Sequence, residues 1–366
     1  RQTHIKSCRS APFCRRTSGL RITTLFTSKF RRRQLKPTMK IGVLGATGET
    51  GASIINGLLE HPHPFEITAF TRPSSLQSSA NEALRTRGIN VQPLDLTSDP
   101  AALVTGLTGL ETLVSAVNFT GLASEPALAT AAKAAGVARF VPCFFAPIAP
   151  PKGVLSLRDI KEDNLNHIKK LRLPYTILDI GWWYQLTLPL VPSKRNAYAH
   201  VGGPDLIVGD GATRFAQTHL DDVGRLLARA VLDPRTLNRS VFGFGALTSQ
   251  TEVFDLLERL SGETIERAYI DAQTVTTTCE ALSAADLALG SPEWFKRAQF
   301  EYWNSWGLRG DNTPETAAYL GYLDARELYP DFKPRTLEEY AKEVLAGEAK
   351  GVYAEMKAAV AAGTNS

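Results

Sequence analysis

The sequence predicts an α/β protein, a doubly wound parallel sheet with a smaller region added at its C-terminal side. Three observations carry that expectation. Short apolar runs alternate with helix-length amphipathic stretches through the first half of the chain, the connections between them are short, and a glycine-rich loop follows the first apolar run. Composition permits a large core, since 43% of the 366 residues are hydrophobic and 21% are charged, which excludes a disordered chain and a fibre. The length suits one large or two modest domains.

The elements follow in order. Lys40 to Leu44 is an apolar run read as a strand, and Ala52 to Glu60 after it has the composition of a helix. Phe65 to Thr71 and Ile89 to Gln92 are the second and third strands. Thr112 to Ala116 is the fourth, Pro126 to Ala135 an Ala-rich helix, and Arg139 to Pro142 the fifth strand. A helix over Arg158 to Leu171 leads to a sixth strand, Tyr175 to Ile180. Beyond Trp182 the alternation gives way to Pro-rich and aromatic sequence, with one more helix at Leu220 to Val231. The expected division is a nucleotide-binding domain over 39–183 and a mainly substrate-binding region over 184–366, of which about 215–245 returns to the first domain.

The net charge of +4 hides two unlike parts. Arg1 to Lys40 holds 12 Lys or Arg and no acid, which leaves 29 basic against 37 acidic residues in the remainder, a body of net −8. Residues 1–38 are therefore expected to be a basic leader outside the fold. They read first as upstream sequence preceding a start at Met39, then as an organellar transit peptide by composition, and last, through Arg31, Arg32 and Arg33, as a phosphate-neutralising arm. No nucleic-acid partner is expected of the acidic body. Residues 1–38 as a real transit peptide would imply a mitochondrial address; otherwise the expected location is cytoplasmic. No apolar run approaches the roughly 20 residues of a membrane helix, so no membrane partner is expected. Cys143 and Cys279 are the two cysteines of the body, and without a C-x-x-C neither a disulfide framework nor a metal site is expected.

Gly45-Ala-Thr47-Gly48-Glu49-Thr50-Gly51 is a G-x-x-G-x-x-G between the first strand and the first helix. Glycine permits a tight turn and close backbone approach, and a helix N-terminus presents unpaired N–H groups and a positive dipole to a pyrophosphate. In a βαβ unit that loop marks a Rossmann-type dinucleotide site. At the end of the second strand, where an acid would bind the ribose 2′-hydroxyl of NADH, the chain reads Thr71-Arg72-Pro-Ser74. A guanidinium there forks a 2′-phosphate, so NADPH is the expected cofactor. The cofactor-binding set expected is Gly45, Thr47, Gly48, Glu49, Thr50, Gly51, Arg72, Ser74, Ala116, Asn118, Phe145 and Lys161.

Lys161 is singled out by its helical position. At about 100° per residue it falls within the apolar arc of Ile160, Leu165, Ile168 and Leu171, whereas Lys169 and Lys170 fall outside. A lysine facing the sheet must snorkel to solvent or meet cofactor or substrate. Two Tyr-x-x-x-Lys matches, Tyr329 with Lys333 and Tyr353 with Lys357, lack the context of a catalytic helix; the first encloses a proline.

The glycine loop, Thr71-Arg72, Arg139-Phe-Val-Pro142, the Lys161 helix with Leu173-Pro-Tyr-Thr176, Asp233-Pro-Arg-Thr-Leu-Asn238 and Glu327-Leu-Tyr-Pro-Asp-Phe332 together resemble the isoflavone reductase-like and NmrA-like group of atypical short-chain dehydrogenases, especially its fungal members. In plant members a helix lysine thirteen residues before the Pro-Tyr-Thr segment is taken as catalytic, and that count lands on Lys161. The resemblance implies NADPH-dependent reduction of an aromatic, phenolic or polyketide-type metabolite at a conjugated carbon or carbonyl, with Lys161 assisting proton transfer. It leaves two alternatives: a dinucleotide-sensing regulator without turnover, and a non-reductive isomerase or cyclase. Where plant members continue the fifth strand with Pro-Ser-Glu-Phe-Gly, this chain has Pro142-Cys143-Phe144-Phe145-Ala146, so the plant substrate range does not carry over. Phe144, Trp182, Trp183 and Tyr184 are the expected substrate residues, and the partner is a small aromatic molecule bound by a monomer or homodimer. His61 and His63 read as surface residues without partners, His167 as a structural histidine, and His219-Leu-Asp221-Asp222 as a helix start capped by Asp.

Overall fold

The computed structural model describes residues 38–201, 205–283, 285 and 287–353. Apart from Thr38, the predicted leader lies outside the described residues, as does Lys357. The first half runs β1 (Met39–Leu44), α1 (Glu49–Glu60), β2 (Phe65–Thr71), α2 (Ser79–Thr86), β3 (Asn90–Pro93), α3 (Pro100–Leu107), β4 (Thr112–Ser115), α4 (Glu125–Ala134), β5 (Arg139–Val141), α5 (Ser156–Lys170) and β6 (Thr176–Asp179). Helices α2 and α3 add to the sequence expectation. Both are short, and both begin at readable caps: the Ser78 side chain accepts from Asn81 N–H, and Asp99 from Ala101 N–H with Pro100 in the first turn.

Then follow β7 (Trp182–Trp183), β8 (Leu206–Val208), β9 (Arg214–Thr218), α6 (Leu220–Ala230), β10 (Arg239–Phe242), β11 (Ala246–Ser249) and α7 (Gln250–Ser261). The chain continues through β12 (Ala268–Ile270), α8 (Ala272–Ser283), α9 (Pro292–Tyr302), α10 (Pro314–Tyr319), β13 (Leu323–Asp324), α11 (Ala325–Leu328) and α12 (Leu337–Ala346).

Five strands form a parallel sheet in the order β3-β2-β1-β4-β5. A parallel bridge from Phe140 to Tyr175 connects β5 to the start of β6, which pairs in parallel with β10, and β10 with β13. Both faces of the sheet are covered, as parallel sheets require. Ile41, Val43 and Val114 pack with Ile54 and Ile55 of α1 and Val223 and Leu227 of α6. On the other face Leu113 and Phe140 pack with Leu103 of α3, Leu128 of α4 and Ile168 of α5.

Helices α1 and α6 meet almost backbone to backbone. A Cβ on Gly224 would stand 1.8 Å from the Ser53 carbonyl oxygen, so no larger residue fits. Ser53 Oγ donates to Leu220 O at 2.6 Å and accepts from Gly224 N–H at 3.0 Å, which ties the two helices at that crossing. The cap of α6 differs from expectation. His219, not an aspartate, is the N-cap, with Nδ1 accepting from Asp221 N–H at 3.2 Å. Asp221 and Asp222 occupy the first turn, where they meet the dipole, and Asp222 is fully buried against Arg225 and the Arg335 main chain.

The later segments supply small sheets, β11-β9-β7 and β12-β8, and the helices around them. Helix α7 carries a full capping box from Ser249 and Glu252, and α9 runs on into a π-helical turn over Trp303–Arg309. Among the described residues no helix is long and apolar enough to cross a membrane.

Candidate active site

The sequence-predicted residues gather at the C-terminal edge of the parallel sheet. The glycine loop follows β1, Arg72 and Ser74 follow β2, Ala116 and Asn118 follow β4, Phe144 and Phe145 follow β5, and Trp182 lies three residues past β6. Strand order reverses between β1 and β4, the point at which open parallel sheets leave a crevice for a ligand.

The loop is shaped by backbone contacts. Gly45 has a φ of +78°, and a Cβ on it would stand 2.4 Å from Ala116 O across the crevice. A Cβ on Gly51 would stand 2.0 Å from Gly45 O, so the first turn of α1 and the loop touch without side chains between them. Gly48 is the N-cap and supplies no side-chain acceptor, which leaves the first-turn N–H groups directed outward for an anion. Thr47 and Gly48 are exposed there. The Glu49 carboxylate is engaged by the Tyr353 N–H at 3.0 Å. Arg72 is exposed and its side chain makes no hydrogen bond or ion pair to a described residue; its carbonyl closes the turn that holds exposed Ser74. Asn118 is exposed and folds its own turn, accepting from Gly121 N–H and Thr120 Oγ1.

Lys161 does not snorkel. It is 7% exposed, on the face of α5 that buries Arg158, Asn164, Leu165 and Ile168, and its Nζ donates to Phe144 O at 2.5 Å. That carbonyl is presented by a constrained loop. Phe145 adopts φ +40°, in the left-handed region disfavoured for a bulky residue, while its N–H donates to Leu178 O of β6 at 2.9 Å. Buried Glu125 holds the start of the loop, accepting from Cys143 N–H at 2.8 Å and from Asn164 Nδ2 at 3.1 Å. Burial raises the Glu125 carboxyl above the usual range, opposed by those donors and by the Lys161 charge. Burial likewise pushes the Cys143 thiol up to about 12, so it remains a thiol at neutral pH.

A second cluster clamps the same loop from below. Asp179, fully buried at the end of β6, accepts from Arg158 Nη1 at 2.8 Å and from the Tyr322 hydroxyl at 2.7 Å, and its other oxygen takes Ala146 N–H at 3.3 Å. Arg158 also donates to Glu162 and lies 4.7 Å from the Phe144 ring centroid. Glu125, Asn164, Arg158, Asp179 and Tyr322 were not anticipated. Arg158 and Asn164 share the buried face with Lys161, so the periodicity that found Lys161 also contained them; nothing local marks the others.

The four expected substrate residues separate. Phe144 is 1% exposed and packs with Leu165 and Ile177, offering its carbonyl rather than its ring. Trp183 stacks on Tyr353 at 5.9 Å, and Tyr184 is fully buried against Tyr340 with its hydroxyl donating to Arg335 O. Only Trp182 of the three consecutive aromatics lines the cavity of about 310 Å³ that also borders Leu186, Phe215, Tyr302 and Trp306. The histidines divide as well. His167 Nε2 lies 3.0 Å from Thr130 Oγ1, while His61 and His63, expected to lack partners, set their rings edge-on to Phe65 with His61 Nδ1 accepting from His63 N–H.

The arrangement therefore combines an anion cradle of main-chain N–H groups, an unpaired guanidinium one strand away, and a buried ammonium behind a rigid loop at the crevice. Comparison with known proteins places the chain by family and fold. The NmrA-like family matches residues 37–341. "Asnovolin J 5′,6′-dehydrogenase nvfM" of Aspergillus novofumigatus is 44% identical over 320 residues, covering 85% of this chain and 96% of that protein. "Phenylcoumaran benzylic ether reductase Betv6" of Betula pendula is 27% identical, covering 83% and 98%. Among solved structures, "AtPrR2 with NADP+ and (+)pinoresinol" superimposes with a TM-score of 0.66 at 22% identity, covering 84% of this chain and 99% of that one, a likeness of fold.

Proposed function

The chain belongs to the NmrA-like family, and on that premise we propose that it is an NADPH-dependent reductase of an aromatic, phenolic or polyketide-type secondary metabolite. The observation that carries the reading is Lys161, an ammonium held 7% exposed behind the loop that follows β5, at the same sheet edge as the glycine loop and as Arg72, whose side chain has no partner among the described residues.

The residues present fit the dinucleotide. The uncapped N-terminus of α1 would take the pyrophosphate on its N–H groups, the absence of a Cβ lets Gly45 lie against Ala116 just past β4 and Gly51 against Gly45, and Arg72 would fork the 2′-phosphate. When bound, NADPH supplies the hydride. Of the three N–H donors of Lys161, one is spent on Phe144 O, which fixes the direction of the side chain. The remaining two polarise the acceptor oxygen and deliver a proton toward it, directly or through water. The Arg158–Asp179–Tyr322 clamp keeps that carbonyl, and hence the ammonium, in place through turnover.

A second reading concerns direction. The 44% identical relative is named a dehydrogenase, which supports the reverse direction, with hydride leaving to NADP+ and the accompanying proton to solvent water. Titration of the purified protein with NADPH and NADH tests the cofactor; equal affinity for the two overturns it. Lys161→Ala tests the chemistry. Turnover is expected to fall by about 10²- to 10⁴-fold with NADPH affinity kept within a few-fold; unchanged turnover removes Lys161 from the mechanism, and an absence of any turnover in the wild type across both directions indicates a dinucleotide sensor.

A further inference from the structure

The segment after α12 returns to the glycine loop from the far end of the sequence. Gly347, left-handed at φ +82°, ends α12. Ala349 N–H then donates to Tyr198 Oη at 3.2 Å, and Val352, 2% exposed, packs in the same core as Ile54, Ile55 and Trp183. Tyr353 follows, its ring stacked on Trp183 and its N–H given to Glu49 Oε1 at 3.0 Å, a contact across 304 residues. It does so at φ +56°, a conformation that a bulky residue keeps only where its surroundings hold it.

Glu49 is the first residue of α1 and lies inside the glycine loop, between Gly48 and Thr50. Helical Cα–Cβ bonds tilt toward the N-terminus, so a first-turn carboxylate without a partner leans over the unpaired N–H groups that an anion would use. Such a carboxylate favours the helix through its dipole, but it competes with a pyrophosphate for the same donors and repels its charge. The Tyr353 N–H draws Glu49 elsewhere. The residue borders a cavity of about 110 Å³ along the flank of α1, with Ser53 and Asn56 one and two turns further along the same face and Val352 opposite.

We propose that Glu49 and Tyr353 form a positioning pair for the dinucleotide: the Tyr353 N–H holds the Glu49 carboxylate on the flank of α1 and so keeps the first-turn N–H groups open to the pyrophosphate. The inference rests on the dinucleotide reading above and adds to it a role for the C-terminal segment. Tyr353 acts through its main chain, while its ring and the buried Val352 fix where that N–H stands. Because NADH and NADPH share the pyrophosphate, the pair acts on both alike, whereas Arg72 separates them by the 2′-phosphate.

Equilibrium titration of the full chain with NADPH and with NADH, with thermal melting alongside, tests the pair. Glu49→Asp keeps the charge but is one methylene too short to reach the Tyr353 N–H; it is expected to weaken both dinucleotides about five- to tenfold. Glu49→Gln removes the charge and is expected to tighten both about two- to threefold. Tyr353→Pro removes the N–H and is expected to weaken both about five- to tenfold in the wild-type background, but by less than about twofold when combined with Glu49→Gln. A purely structural segment would lose the same affinity in either background. If Tyr353→Pro does not melt cooperatively, the two Glu49 substitutions decide. Wild-type affinity in Glu49→Asp, no tightening in Glu49→Gln, or equal losses from Tyr353→Pro in the two backgrounds overturns the proposal. Equal wild-type affinity for NADPH and NADH with the rescue by Glu49→Gln intact supports the pair and overturns the NADPH preference alone. No binding of either dinucleotide to the wild type overturns both.

Discussion

The glycine loop and the aromatic cavity are built on opposite principles. Around the loop, positions are set by main chain meeting main chain: Gly45 against Ala116, Gly51 against Gly45, and N–H groups left unpaired at the start of α1. Around the cavity they are set by side chains from elements far apart in sequence, Trp182 after β6, Phe215 in β9 and Trp306 in the π-helical turn. If the loop holds the dinucleotide, as proposed, and the cavity bordered by Trp182 the substrate, the common ligand meets atoms every residue possesses and the variable one meets atoms that substitution can change. That division explains how one fold retains a cofactor while its substrates diverge.

Backbone substitution at the loop breaks this comparison most severely. Gly51→Ala would place a Cβ 2.0 Å from a carbonyl oxygen, so Tm is expected to fall by on the order of 10 °C together with NADPH binding. Gly48→Ala meets nothing closer than 3.5 Å, so thermal melting should match wild type while NADPH weakens about tenfold through crowding of the phosphate alone. Equal effects of the two substitutions on Tm would show that loop shape is not set by those contacts.

A side-chain change in the same region should act more narrowly. Arg72→Ala is expected to weaken NADPH about 10- to 100-fold and to leave NADH unchanged, because only the 2′-phosphate meets the guanidinium. Parallel losses for both dinucleotides would move Arg72 from phosphate recognition to loop structure.

The smallest effect is one of pH and concerns the N-cap of α6. Burial, aided by Arg335, lowers His219 to about 4 from an ordinary 6.5, and the imidazole must stay neutral for Nδ1 to accept the Asp221 N–H. The folded state thus binds the proton less readily than the unfolded chain. His219 contributes stability fully above pH 6.5 and loses it as the pH falls toward 4, by on the order of 2 kcal/mol. His219→Gln should flatten that part of the stability profile in urea titrations at stepped pH; an unchanged slope would assign the acid sensitivity to other groups.

Much of the cofactor end was legible in the sequence because its determinants are local. Strand, glycine loop and helix follow one another within Met39–Glu60, and the missing acid after β2 is visible at Arg72. Lys161 was legible as well, since a lysine within an apolar arc needs only helical periodicity to be noticed. Glu125 and Tyr322 could not be found in this way. Their roles depend on which loop they meet, Cys143 for one and Asp179 for the other, and those meetings join segments 18 and 143 residues apart.

By itself the sequence determined the order of the six strands of the first half and three of its five helices, α1, α4 and α5, together with the glycine loop, the cation after β2 and the place of Lys161 on the apolar arc of α5, all properties of periodicity and short-range sterics. Tertiary structure decided what those groups face. It turned Lys161 onto the Phe144 carbonyl, put the Phe144 ring into the core and divided three consecutive aromatics between cavity and interior. The physical reason is that a side chain's direction follows from its own backbone, whereas its neighbours follow from how distant elements pack.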